Sequence, residues 1–161
     1  MFTLHMRQTP WRTPRIRVPE FNPYRPVRIS IPSREQYLGE VRGLIERISI
    51  PTCLTGEDVA ELKLAATEAC LNAIRHGSPQ GNSNLVDVQV KPELDRVVIE
   101  VRDEGRGFDV RKARQSPLPL GESGRGLKLI ESLVDRAEYC NSRRGHLVRL
   151  TKRSRPATKV H

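Results

Sequence analysis

The run Leu64-Ala-Ala-Thr-Glu68-Ala-Cys-Leu-Asn72-Ala-Ile-Arg-His76-Gly77 decides the fold. Val59, Leu62, Ala66, Ala69 and Ala73 recur at helical spacing and predict one buried stripe. Thr55-Gly-Glu-Asp58 opens this helix and Gly77-Ser-Pro79 stops it. Downstream, residues 85–91 and 96–103 alternate at period two around Pro92-Glu-Leu-Asp95, which predicts a hairpin. Residues 104–122 read as a loop and Gly124 to about Val134 as a third helix. A second hairpin follows, from about 136–141 and 146–152. Upstream, residues 27–31 read as a strand, and Pro32-Ser33-Arg-Glu-Gln36 as a capping box. The helix it opens carries Tyr37, Leu38, Val41, Leu44, Ile45 and Ile48 on one face. Helices alternating with antiparallel hairpins predict an α+β fold, a two-layer α/β sandwich. Its sheet is expected to be mixed and mostly antiparallel, with the helices on one face.

The chain of 161 residues is long enough for one domain with a real core. No apolar run approaches the roughly 20 residues that span a bilayer, and the first 28 residues lack the apolar stretch of a signal peptide. Three scattered cysteines, Cys53, Cys70 and Cys140, read as reduced, so the expected location is cytoplasmic. The net charge of +9 is unevenly placed. Residues 1–28 carry six Arg against Glu20, and residues 152–161 carry four basic residues. The segment between them holds 18 basic and 18 acidic residues and is neutral. The excess therefore reads as two solvated tails, and no direct nucleic-acid binding is expected. The expected organisation is an Arg/Pro-rich disordered arm over 1–26, a domain over 27–152 and a basic tail over 153–161.

Three separated segments carry the chemistry. Glu68 and Asn72 are four apart on their helix and point the same way, with His76 extending the line. A solvated helix face would explain that pair taken alone. The functional reading gives Asn72 an oxygen on Mg²⁺ and gives Glu68 the proton of an attacking hydroxyl, since Mg²⁺ takes hard oxygens and keeps water or phosphate in its shell. In Val97-Val-Ile99-Glu-Val101-Arg-Asp103, period two puts Asp103 on the core-facing side, where an acid needs a donor. An adenine amino group would serve, with Gly105 and Gly107 letting the backbone approach a flat base. Gly121-Glu-Ser-Gly124-Arg-Gly126 feeds Leu127 and its helix, and amides at a helix start favour an anion. Arg125 and Lys128 could add charge to a phosphate site or lie on the surface. Together the three segments describe a pocket for ATP and its metal.

At these residues the chain resembles the ATP-binding superfamily of gyrases, large heat-shock chaperones, mismatch-repair proteins and sensor histidine kinases. Within it, the chain is most similar to the anti-sigma-factor serine/threonine kinases of bacteria, over roughly residues 27–152. Ile29-Ser-Ile-Pro32-Ser, Tyr37 and Val41-Arg42 carry part of that likeness, beside the run 64–77. The resemblance implies that Glu68 is the general base and that Asn72 holds Mg²⁺. It implies that Asp103 binds adenine, that Gly105 and Gly107 line the base pocket, and that Gly124, Arg125, Gly126 and Leu127 serve the phosphates under a lid over about 108–123. It further implies transfer of the ATP γ-phosphate to a Ser or Thr of a small anti-anti-sigma partner. A sigma factor would be a second partner, held inactive until partner switching frees it, and family members often form homodimers. The alternative is an ATP-binding regulatory protein that sequesters a partner without phosphotransfer. The Arg/Pro-rich arm is no part of the family pattern.

Overall fold

The computed structural model describes residues 22–106, 122–143 and 145–155. In chain order the elements are β1 (Val27–Pro32), α1 (Leu38–Ser49), α2 (Gly56–His76), β2 (Leu85–Glu93), β3 (Arg96–Arg102), α3 (Glu122–Leu133), β4 (Arg136–Ser142) and β5 (Gly145–Arg153). The strands form one sheet in the order β1-β2-β3-β5-β4. All four pairings are antiparallel, so the mostly antiparallel sheet expected from the sequence is antiparallel throughout its described strands. Because β5 inserts between β3 and β4, the starts of β5 and the end of β3 lie side by side, with Arg102 opposite Leu147.

Register explains the two faces. Ile29, Val88, Val101, Val148 and Tyr139 lie in one row across the sheet. The next row runs Val27, Val90, Ile99, Leu150 and Ala137. These apolar positions meet Leu62, Ala65, Ala66, Ala69, Cys70 and Ala73 of α2, Leu38, Val41, Leu44 and Ile45 of α1, and Ile130 of α3 in a single core. The opposite face carries Lys91, Glu100 and Arg149, whose charges pair with one another at 2.9 Å. The sheet is thus covered by helices on one side and charged on the other, the usual division for antiparallel strands. Removing a fully buried side chain such as Leu62 is expected to cost about 2–5 kcal/mol.

Local signals succeed at α2 and fail at α1. Asp58 N–H donates to Thr55 Oγ1 at 3.1 Å and Thr55 N–H to Asp58 Oδ2 at 3.0 Å, a reciprocal cap at the start of α2. The box expected at Ser33 and Gln36 does not form. Arg34 precedes a short 3₁₀ turn, Glu35–Tyr37, with no side-chain cap. Ser33 is buried, its N–H donates to Asn84 O at 3.0 Å, and its hydroxyl pairs with that of Ser78. A long-range bond has taken the hydroxyl that a cap would use.

Two basic residues of the C-terminal charge tally lie in ion pairs. Lys152 Nζ is buried, bonded to Glu61 and donating to Leu133 O at 3.0 Å. Arg155 reaches Glu57 at 2.9 Å, Asp58 at 3.1 Å and Glu61 at 2.6 Å. This cluster joins the end of β5 to the first turns of α2. Burial alone would raise the Asp58 pKa, but its bonds from Thr55, with Arg155 and Lys152, outweigh that and hold it below the ordinary value. Glu61 is held low by Lys152 first and then by Arg155.

Both acids have depressed folded pKa values, so their stabilising contribution is present above the ordinary carboxylate range and lost as pH falls below about 4. The melting temperature is therefore expected to fall in that window. A Lys152→Met/Arg155→Ala variant should melt lower at neutral pH and show a shallower acid decline. An identical acid slope in both proteins, read by circular dichroism melts, would contradict the cluster's role.

Candidate functional site

α2 carries Glu68 and Asn72, both half-buried, on the side that meets α3. The contact is made at Gly126, where a Cβ would stand 3.5 Å from Glu68 Oε2, 3.5 Å from Asn72 Nδ2 and 3.6 Å from Asn72 Oδ1. The first and third sequence segments are thereby brought together. α3 begins at Glu122, two residues before the expected start, so Gly124 and Gly126 lie within its first two turns. Burial of Leu127 and Ile130 overrides the poor helix propensity of glycine. The amides without a partner inside the helix are those of the first turn, up to Gly124, whereas Gly126 and Leu127 sit further in. Gly126 serves close packing, Leu127 is a core residue, and Arg125 and Lys128 are exposed.

Asp103 follows the last residue of β3 and is buried at 6 % exposure, on the inward side as expected. Its donors come partly from the chain itself. Oδ1 accepts from Gly105 N–H at 2.9 Å and from His146 N–H at 3.3 Å, while Asp103 N–H donates to His146 O at 3.0 Å. Oδ2 lies 3.6 Å from His146 Nδ1. Three glycines make this fit. A Cβ on Gly77 would overlap the Asp103 carboxylate, and one on Gly105 would stand 2.6 Å from Gly77 Cα. Gly145, at φ 126°, would collide with the Asp103 carbonyl if it carried a side chain. Glycine at 105 is thus required by the approach of chain to chain. Gly107, Gly121 and residues 108–121 of the expected lid lie outside the described residues.

Asn72 and Asp103 line one cleft between α2 and the sheet. Ala69, Ala73 and Gly77 form its α2 wall at successive turns, and Val101, Val148, Tyr139 and His146 its sheet side. Small residues at every turn hold the helix wall back and leave a flat slot. The enclosed space of the cleft is about 10 Å³, room for about one water, and the remainder opens to solvent. Tyr139 and His146 stack with ring centres 6.4 Å apart and an interplanar angle of 15°. The sequence reading passed over both, although period two along β4 and β5 puts them on the inward face beside Ala137 and Val148. His76, expected to extend the line of Glu68 and Asn72, is an exposed residue at the cleft's edge.

Among the described residues, no group of three or more His, Cys, Asp or Glu gathers as a metal site would require. Asn72 supplies an oxygen at the cleft, which suits an ion that keeps most of its shell on water and phosphate. Cys70 is no nucleophile, since burial pushes its thiol up to about 12. No described helix is long and apolar enough to cross a membrane.

Comparison with known proteins gives the site its context. Residues 31–152 match the histidine kinase-like ATPase domain family. The chain is 32 % identical over 135 residues to the serine-protein kinase RsbW of Bacillus velezensis, covering 78 % of this chain and 84 % of that one. RsbW of Bacillus subtilis is 29 % identical over the same length and coverage. Among solved structures, the RsbU and RsbW domains of Rv1364c from Mycobacterium tuberculosis superpose with a TM-score of 0.59 at 24 % identity. That match covers 85 % of this chain and 35 % of the longer one, and it speaks for the fold.

The glycine collar generates a prediction. Gly77→Ala is expected to destabilise the domain by about 1–3 kcal/mol, because the new methyl must push the Asp103 carboxylate out of its donors. Denaturant unfolding checks this, and unchanged stability would show that the contact yields freely.

Proposed function

The chain belongs to the histidine kinase-like ATPase domain family, and we propose that it is an ATP-dependent protein serine/threonine kinase of the anti-sigma type. The observation that carries the reading is the meeting of Glu68 and Asn72 with α3 at Gly126, beside the cleft that Asn72 and Asp103 line. The reading assigns the acid to the base end, and the amide, the carboxylate and the helix start to the phosphate end.

In this reading Asp103 accepts the adenine amino group through Oδ2, its other oxygen being engaged by backbone donors. The slot lined by Ala69, Ala73 and Gly77 takes the flat base. First-turn amides of α3, including that of Gly124, face the phosphates, and the positive end of the helix favours their charge. Arg125, exposed beside them, adds a cation. Asn72 holds Mg²⁺, whose chemistry when bound is to neutralise phosphate charge. Glu68 orients the acceptor hydroxyl and takes its proton as the new bond to the γ-phosphorus forms, while the bond from that phosphorus to the β–γ bridging oxygen breaks and ADP leaves with the electron pair. Phosphoryl transfer is mainly a matter of position and charge, and one positioned base contributes about 10²–10⁴-fold.

The acceptor is a Ser or Thr of a small anti-anti-sigma protein, and a sigma factor is the protein held in its absence. The relatives named serine-protein kinase RsbW support a serine acceptor on a protein, and the resemblance to the anti-sigma-factor kinases suggests the two partners and the cytoplasmic location.

Two substitutions test the chemistry. Glu68→Gln should leave ATP affinity within about threefold and slow phosphotransfer by about 10²–10⁴-fold. Asn72→Ala should abolish the Mg²⁺-dependent part of nucleotide binding. Calorimetry and transfer of labelled phosphate to the acceptor read both. Normal transfer by Glu68→Gln would remove the base assignment, and ATP binding without transfer in the parent would favour a sequestering protein.

A further inference from the structure

We propose that Asn84 and Glu104 are positioning residues for the adenine end of the cleft, acting through Asp103 without touching the nucleotide. The inference rests on the reading of Asp103 as the adenine-binding carboxylate.

Asn84 sits in the connection between α2 and β2, yet it is buried at 4 % exposure. Its four polar groups are all engaged. The N–H donates to Gly81 O at 3.1 Å, the carbonyl accepts from Ser33 N–H at 3.0 Å, and Oδ1 accepts from Gln80 N–H at 2.6 Å. Nδ2 donates to Glu104 Oε2, which also accepts from Leu85 N–H at 3.2 Å. A buried amide whose oxygen and nitrogen are both engaged is a rigid part, since movement breaks one of these bonds.

Glu104 is the middle residue of the turn in which Gly105 N–H closes onto Asp103 Oδ1. Fixing its side chain fixes that turn, and with it the direction of Asp103 Oδ2. The opposite wall is held by the same hub. Ser33, bonded to Asn84, pairs with Ser78, whose hydroxyl donates to Ala73 O at 3.2 Å. Ser78 follows Gly77, the residue packed directly on the Asp103 carboxylate. Asn84 therefore sets both sides of the gap in which the acid is gripped, and a charge-assisted bond to Glu104 is the link that crosses it.

A charge-inverted rescue separates positioning from mere stability. At neutral pH, Asn84→Asp keeps the acceptor for Gln80 but sets a second carboxylate against Glu104. Adding Glu104→Gln restores one bond in the reverse direction, with the new glutamine donating to the new aspartate. MgATP and MgGTP affinities are measured by calorimetry, beside melting temperature. Asn84→Asp is expected to weaken ATP about tenfold while leaving the weaker GTP binding unchanged, and the double variant to recover ATP affinity to within about threefold. An unchanged ATP-to-GTP ratio, equal losses for both nucleotides, or no recovery in the double variant would each overturn the proposal. Should Asn84→Asp not melt cooperatively, Glu104→Ala carries the same comparison. If neither folds, the pair holds the fold rather than the base site and the proposal falls. A parent protein that binds no ATP removes the nucleotide reading itself, a failure seen before any variant is compared.

Discussion

A carboxylate buried at the end of β3 is the constraint on which this structure turns. Asp103 lies inside the sandwich, and a buried acid without donors is costly. Its donors are main-chain N–H groups from Gly105 and from His146 on the adjacent β5. That pairing requires β5 to lie beside β3, which sends the chain through α3 to the sheet edge at β4 before it returns. It also requires backbone to close tightly around this residue, with Gly77 against its carboxylate, Gly105 against Gly77 and Gly145 against its main-chain carbonyl. Strand order, glycine placement and the end of α2 answer to the same carboxylate.

The rest of the cleft follows from helix periodicity on that anchor. α2 ends where Gly77 meets Asp103, so its residues at successive turns back along one wall are Ala73 and Ala69, both small. Asn72 and Glu68 fall on the neighbouring side, toward α3. Gly126 lets α3 approach them, and burial of Leu127 and Ile130 holds that approach. The Asp103 contact and the α3 contact are thus two contacts of one helix.

Much of this was legible in the sequence, and the limits have physical causes. Period two placed Asp103 inward, and the 3.6-residue period placed Glu68 beside Asn72, because both rules concern single elements. Thr55 and Asp58 formed their cap because nothing distant competed for them. Ser33 was misread because its hydroxyl is used by Ser78, 45 residues away, a bond that no local pattern announces. The start of α3 was misplaced for a similar reason, since packing on α2 outweighs glycine propensity. Gly105 also makes room for Gly77, a requirement that strand periodicity does not announce. Tyr139 and His146 went unnoticed because a strand's inward positions read as core until strand order puts them beside the acid. The expected arm, C-terminal tail and lid fall wholly or largely outside the described residues. Lys152 and Arg155, counted as tail charge, belong to the ion cluster at the base of α2.

The central claim is that Asp103 makes this cleft an adenine site. Calorimetric titration of MgATP into the parent protein and into Asp103→Asn tests it most directly. Asparagine keeps an acceptor for Gly105 N–H but turns a donor toward the adenine amino group. The account predicts Mg²⁺-dependent ATP binding by the parent and at least about a tenfold loss in a variant that still melts cooperatively. ATP binding undiminished by the substitution would contradict it.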